Sequence, residues 1–127
     1  MNQTPGDFCW NELATSDLKT AKDFYGKVFG WEFVEHEMGD MTYTMIKHKD
    51  KNLCAGIWAI PKDKQKQIPP HWLAYILVEN LEKALEKATK HGAAIMKPAT
   101  NAGDFGRFAV ITDPTGAHIA LWQSLSK

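Results

Sequence analysis

The chain has 127 residues and a mass of 14.3 kDa, which suits a single domain, because about 100 to 150 residues is the usual size of an independently cored unit. Fifteen basic residues balance fifteen acidic ones, so no long-range field of one sign attracts nucleic acid or an acidic membrane surface. A composition of 44% hydrophobic and 24% charged residues is typical of globular proteins and argues against disorder. We therefore predict a folded domain without a nucleic-acid partner.

The first residues of the chain and its cysteine content indicate the cellular compartment of the protein. Residues Met1 to Asp7 are polar and lack the basic and apolar regions of a secretory signal. No stretch approaches the roughly 18 apolar residues of a membrane span. Only Cys9 and Cys54 are present, and such sparse cysteine usage suits a reducing compartment. We expect a cytoplasmic protein without membrane contact.

The first half of the chain predicts a strand, a helix and three further strands. Residues 8–15 have the composition of a strand, and Asp17 follows at an N-cap position. Gly30 ends the helix. Its apolar residues recur at helical spacing: Leu18, Ala21, Tyr25 and Phe29. The later strands are predicted near residues 31–37, 42–48 and 53–60.

The second half repeats this order. A strand at 73–78 precedes a helix that ends at Gly92, and strands follow near 94–97, 107–112 and 118–123. Residues 61–70 are rich in Lys and Gln and bounded by prolines, which predicts a linker. We therefore predict an α+β fold of two βαβββ modules within one domain, 1–127: module one at about 6–60 and module two at about 71–125.

Two groups of residues resemble the glyoxalase, bleomycin-resistance and extradiol-dioxygenase superfamily, whose members are also called vicinal oxygen chelate proteins. The opening group is Trp10-x-Glu12-Leu13-x-Thr15-x-Asp17, followed by Ala21, Phe24-Tyr25 and Phe29-Gly30-Trp31. The closing group is Gly106-Arg107-x-Ala109, Asp113-Pro114-x-Gly116 and Leu121-Trp122. The resemblance implies a curved mixed sheet around a cleft, often completed by a second subunit, so a homodimer is expected.

The resemblance also implies where a metal would be bound. Enzymes of this superfamily hold a divalent metal with ligands on the first and last strands of both modules. Those positions fall on Trp10, Leu73, Ala120 and the stretch 55–58, where no side chain suits a hard cation. We therefore expect no metal cofactor. The alternative is a divalent metal held by relocated ligands, with Glu12, His71 and His118 as the candidate donors.

Strand alternation predicts which residues line the cleft, because residues two apart share a face of the sheet. Trp58 is placed with this set although its direction stays open. Arg107 joins it because the loop 101–107 can close over a ligand and offer the guanidinium to an anion. The predicted ligand-binding residues are Trp10, Glu12, Trp58, His71, Leu73, Tyr75, Arg107, His118, Ala120 and Trp122.

Glu12 is the candidate catalytic residue. A carboxyl group between Trp10 and Ala14 is a potential general base if burial raises its pKa. The alternative is an ion pair with Arg107 or a lysine. Trp10 and Trp122 have an alternative role as well, which is to fill space left where relatives hold a metal.

Three functions follow as hypotheses. The first is binding of a small aromatic or apolar organic molecule in an aromatic cleft without the metal. The second is a metal-dependent enzyme, either a lactoylglutathione-lyase-like lyase or a dioxygenase, with shifted ligands. The third is a non-catalytic dimeric interaction module whose cleft is filled by its own side chains. Whether the protein is an enzyme is left open by the sequence.

Overall fold

The computed structural model describes residues 3–38 and 41–125. The chain divides into two compact units, which are taken separately below. The first unit comprises residues 10–73, and the second comprises residues 74–127 together with residues 1–9. Neither helix of the described residues is long and apolar enough to cross a membrane.

Residues 3–38 and 41–125 form eight strands and two α-helices in the order βαβββ, repeated once, which confirms the predicted α+β fold class. A single turn of 3-10 helix, Lys62–Lys64, lies in the segment predicted to be a linker. The elements are β1 Phe8–Thr15, α1 Leu18–Phe29, β2 Glu32–Met38, β3 Met41–His48, β4 Lys51–Ala59, β5 His71–Leu77, α2 Leu81–Lys90, β6 Ala94–Ala102, β7 Gly106–Thr112 and β8 His118–Ser124.

In the first unit the strands lie in the order β2, β3, β4, β1, with β1 parallel to β4 and the other pairs antiparallel. Helix α1 begins at Asp17, whose Oδ1 accepts a hydrogen bond from the Thr20 amide at 3.0 Å, and it ends at Gly30 in the left-handed conformation. The helix packs on one face of the strands. This apolar core contains Leu13, Ile46, Ala55 and Ile57, with Leu18, Ala21 and Tyr25 packed against them.

In the second unit the order is β5, β8, β7, β6, with β5 parallel to β8. Helix α2 begins at Asn80, whose side chain accepts from the Lys83 amide. It buries Leu81 and Leu85 against the strands. The strand residues in that core are Ala109, Ile111 and Leu121, with Ile76, Val78 and Ile119 alongside, as strand alternation predicts.

Strand β6 is longer than the sequence predicts. The predicted strand stops at Lys97, whereas β6 continues past Pro98 to Ala102. Proline is tolerated on an outermost strand because its missing N–H can face outward, and the β6–β7 register shifts on either side of Lys97. Asn101 is consequently paired with Arg107. The predicted closing loop is therefore a β-hairpin with a tip of three residues, 103–105.

Candidate functional site

A chain of hydrogen bonds links three side chains of the first unit. The indole Nε1 of Trp10 donates to the Tyr43 hydroxyl at 2.9 Å, and this hydroxyl donates to Oε2 of Glu12 at 2.8 Å. All three residues are partly buried. The first bond fixes the Tyr43 hydroxyl beside the Trp10 ring, and the second fixes the Glu12 carboxylate beside the Tyr43 ring. The orientation of the carboxylate is therefore set by these two bonds.

Gly56 makes this contact possible. It lies on β4, between the strands that carry Tyr43 and Glu12, and it is the Cα partner of Glu12 on β1. A Cβ atom placed on Gly56 would lie 2.2 Å from a ring carbon of Tyr43. The phenol ring therefore crosses β4 in the space that a side chain at Gly56 would occupy.

These residues share the face of the strands that is opposite α1. Leu13, Ile46 and Ile57 belong to the core beneath the helix, and their neighbours in each strand point the other way. Trp58 follows Ile57 and is the Cα partner of Ala14, so it lies on the face opposite α1. We call this surface the Glu12 face: Trp10, Glu12, Tyr43, Gly56 and Trp58.

A depression of 370 Å³ lies beside Tyr43 on the same face. Met45 connects the two, because it is the Cα partner of both Gly56 on β4 and Val34 on β2. We call this depression the Lys47 pocket. It is lined by Val34, His36, Met45, Lys47, Asp50 and Asn52.

The second unit repeats the stacking of a ring over a glycine. A Cβ atom on Gly106 would lie 2.5 Å from a ring carbon of Trp122, so the indole covers this glycine. Tyr75 is buried, with its ring centroid 6.3 Å from that of Phe108. Ala120 is the Cα partner of Tyr75. The predicted residues Tyr75, Ala120 and Trp122 thus share the face of the second unit opposite α2.

The two predicted histidines are exposed at strand ends. His71 Nδ1 lies 2.7 Å from the carbonyl oxygen of Pro69, and His118 Nδ1 lies 3.0 Å from Oγ1 of Thr112. Leu73 is half-buried. The assignment of His71, Leu73 and His118 to ligand contact stays a prediction.

Arg107 has a carboxylate partner within its own unit. It shares the strand parity of Ala109 and Ile111, which face α2, and its guanidinium forks onto both carboxylate oxygens of Glu82 at the start of that helix. The contact lowers the pKa of Glu82 and raises the pKa of Arg107. An anion bound by Arg107, as the sequence predicts, would have to compete with Glu82.

Sequence reasoning missed Tyr43 and Gly56. An isolated glycine between Ala55 and Ile57, inside an apolar strand, was the available signal, since it often marks the close approach of another group. The group that approaches is Tyr43, which lies 13 residues earlier in the sequence, on the neighbouring strand β3. Nothing in its own sequence neighbourhood identifies it.

The donor set at the family's metal positions does not fit a divalent ion. Trp10, Leu73 and Ala120 offer no oxygen, thiolate or imidazole, and no side chain in the stretch 55–58 offers one. In residues 3–38 and 41–125, no group of three or more His, Cys, Asp or Glu side chains is arranged to hold a metal ion. We derive no chemical step through a metal.

Similar proteins are found among curated sequences. The chain is 36% identical over 117 residues to "Putative glyoxylase CFP32" of Mycobacterium bovis, covering 91% of this chain and 44% of that protein. It is 30% identical over 132 residues to the anthracycline biosynthesis protein DnrV of Streptomyces peucetius, covering 94% and 47%. The chain therefore spans about half the length of the curated relatives it matches.

Solved structures agree on the fold. Methylmalonyl-CoA epimerase from Mycobacterium tuberculosis superposes with a TM-score of 0.64 at 18% identity, covering 98% of this chain and 93% of that one. Homoprotocatechuate 2,3-dioxygenase from Brevibacterium fuscum gives a TM-score of 0.63 at 16% identity, covering 94% and 38%. The sequence model of one family matches residues 8–121. The chain belongs to the glyoxalase, bleomycin resistance protein and dioxygenase superfamily.

Proposed function

We propose that this chain binds a small aromatic or apolar organic molecule on the Glu12 face, without the divalent metal of its family. The observation that carries the proposal is the hydrogen-bonded chain from Trp10 through Tyr43 to Glu12. It holds an oriented carboxylate on the face that also carries the side chain of Trp58. Such a surface stacks a flat ligand and orients it through one hydrogen bond.

Within this proposal Glu12 is the candidate catalytic residue and Tyr43 is a positioning residue. A carboxylate is a proton acceptor, and the Tyr43 hydroxyl holds it at one place on the face. Within the second unit, Tyr75, Ala120, Trp122 and His118 stay predicted ligand contacts, as do His71 and Leu73 in the first unit. Arg107 faces α2, so an anion would bind it only in competition with Glu82.

The test is a titration with N-phenyl-1-naphthylamine, an uncharged aromatic probe that fluoresces in apolar surroundings. Trp10→Phe should weaken saturable binding by about tenfold, because the ring loses area and its hydrogen bond to Tyr43. Trp72→Phe is the matched control. Trp72 also donates its indole Nε1 to a tyrosine hydroxyl, that of Tyr25 at 3.1 Å, but it does so in an aromatic cluster away from Glu12.

The control variant should bind the probe with an affinity within about twofold of the wild type. Equal weakening by Trp10→Phe and Trp72→Phe would place the probe elsewhere and overturn the assignment of the site. Absence of saturable binding, with no rise in melting temperature, would favour a non-catalytic interaction module.

Metal dependence is tested on protein purified without chelator or histidine tag. We expect Zn²⁺, Mn²⁺ and Ni²⁺ to leave the melting temperature unchanged. A stoichiometric ion that raises it, and that is lost in Glu12→Gln, would replace the metal-free proposal with a lyase or dioxygenase that uses relocated ligands. One curated relative is named "Putative glyoxylase CFP32", which makes an enzyme the second candidate.

We also propose that the chain forms a cytoplasmic homodimer that binds neither nucleic acid nor membrane. Two copies together have about the length of one curated relative, and superfamily members often form dimers. Light scattering should give twice 14.3 kDa at micromolar concentration. A species of 14.3 kDa across that range would overturn the dimer.

A further inference from the structure

The Lys47 pocket has both apolar and polar lining residues. Val34 and Met45 supply the apolar part, and the polar part comes from Lys47, His36 and two residues of the β3–β4 hairpin, Asp50 and Asn52. Its 370 Å³ lies within the range of small-molecule pockets, about 300 to 1,000 Å³. The pocket therefore has room for part of an organic ligand.

The pocket and the Glu12 face form one surface. His36 is the Cα partner of Tyr43, and Val34 is the Cα partner of Met45, so the apolar part of the pocket leads directly to the phenol. Lys47 and Tyr43 are four residues apart on β3, which corresponds to roughly 13 Å along a strand. A single ligand can therefore contact both ends.

Ion pairs in the described residues join Lys22 to Glu35, Lys27 to Asp23 and Arg107 to Glu82. Lys47 is in none of these pairs. In the described part of the chain, Lys47 and His36 make no side-chain hydrogen bond or ion pair, although Lys47 is half-buried.

Two carboxylates lie near this cation. They are Glu32, the cross-strand partner of Lys47, and Asp50 of the hairpin turn. In the described chain neither is in an ion pair with Lys47. The Asn52 side-chain oxygen accepts a hydrogen bond from the Cys54 amide at 2.8 Å, and its NH2 group stays a donor. Among the described lining residues, the Lys47 ammonium is the side-chain donor that carries a full positive charge.

We infer that the ligand is an amphipathic organic acid. Its acidic group binds Lys47, and its apolar body lies along Val34 and Met45 towards His36 and Tyr43. This inference rests on the proposed function, because it names the class of molecule that the Glu12 face would take. A charge-assisted bond to a half-buried lysine adds affinity that an uncharged ring system cannot gain.

Two probes that differ in one acidic group test the inference. 8-Anilinonaphthalene-1-sulfonate has the ring system of N-phenyl-1-naphthylamine and adds a sulfonate. The wild type should bind the sulfonate probe more tightly. Lys47→Gln should weaken its binding by about tenfold and leave binding of the uncharged probe within about twofold of the wild type. Lys27→Gln is the control, since Lys27 is an exposed lysine of α1, paired with Asp23, and the same helix carries the exposed rings of Phe24 and Phe29.

The outcomes separate the two proposals. If the uncharged probe binds normally but Lys47→Gln leaves the affinity for the sulfonate probe unchanged, the inference fails and the proposed function stands. If Lys27→Gln weakens the sulfonate probe as much as Lys47→Gln does, the probe is bound at α1 and the inference fails. If neither probe binds with saturation, the proposed function fails together with the inference.

Discussion

The ring of Tyr43 lies where a side chain at Gly56 would be. The hypothetical Cβ of Gly56 comes within 2.2 to 2.5 Å of three atoms of the phenol, including its oxygen. This overlap connects β3 to β1 across the intervening strand, and it delivers the hydroxyl to Glu12. The candidate site therefore depends on a residue that contributes no side chain of its own.

Gly56→Ala should displace the Tyr43 ring and break its bonds to Trp10 and Glu12. Overpacking of this kind costs about 1 to 3 kcal/mol in free energy of unfolding. Urea denaturation followed by tryptophan fluorescence measures the change. Gly26→Ala, in α1, is the matched control. A Cβ atom at Gly26 would lie 3.5 Å from the carbonyl oxygen of Trp31, which is an ordinary contact distance. Gly26→Ala should stabilise the protein by about 0.5 to 1 kcal/mol. A Gly56→Ala variant as stable as the wild type would contradict the close approach.

Tyr43→Phe keeps the ring over Gly56 and removes only the hydroxyl. Two hydrogen bonds are lost, so we expect a loss of about 1 to 2 kcal/mol in unfolding free energy. Trp10 should also show a shifted emission maximum, because its indole N–H loses its acceptor. Tyr25→Phe, which removes the hydroxyl partner of Trp72, is the control for a general effect of losing a phenol. Equal emission spectra for wild type and Tyr43→Phe would argue against the Trp10–Tyr43 bond in solution.

Thr44→Val should stabilise the protein or leave it unchanged. Thr44 is fully buried, and within the described residues its hydroxyl oxygen has no hydrogen-bond partner. Replacing a buried unsatisfied hydroxyl by a methyl group of similar shape removes a desolvation cost of about 1 to 3 kcal/mol. Thr44→Ala separates this effect from packing, since it should destabilise by leaving a cavity. A destabilised valine variant in thermal melts would show that the hydroxyl is satisfied.

Asp17→Ala removes the N-cap of α1. The carboxylate accepts from the amide and the hydroxyl of Thr20, and loss of such a cap costs about 1 kcal/mol. Asp17→Asn keeps an acceptor and should recover most of the stability in the same chemical denaturation experiment. If alanine and asparagine are equally destabilising, charge rather than capping is responsible.

Acid should weaken the contact between α2 and β7. The hydrogen bond from Arg107 lowers the pKa of Glu82 below its ordinary value of 4.5. The stabilisation is therefore complete above the unfolded pKa and is lost as the pH falls through the lower folded pKa. Between about pH 6 and pH 3, the melting temperature of Arg107→Gln should fall less steeply than that of the wild type. Glu82→Gln should reproduce the shallower curve, and parallel curves for all three proteins would exclude the contribution.

Local patterns were sufficient for most of the fold. Asp17 and Gly30 mark the ends of α1 because capping depends on residues adjacent in sequence. The strand parity of Leu13 and Leu121 follows from alternation, since residues two apart share a face. The predicted end of β6 at Lys97 was wrong, because the strand continues through Pro98, which an outermost strand accommodates.

The site was less accessible from sequence. Trp10, Glu12 and Trp58 could be placed on one face by parity. Tyr43 could not be connected to them, because the contact depends on the tertiary register of β3, β4 and β1. The partner of Arg107 was also missed, since Glu82 lies 25 positions earlier in the chain and becomes a neighbour only when α2 packs on β7.

Pro98 has a consequence for how copies of this chain meet in concentrated solution. In its own unit β6 is the outermost strand, and a proline contributes no amide hydrogen for a strand of another molecule to bind. Lys97 beside it adds a charge that is costly to bury against a second copy. Pro98 and Lys97 together disfavour edge-to-edge strand pairing between two molecules along β6. Association at this edge would therefore depend on side-chain contacts.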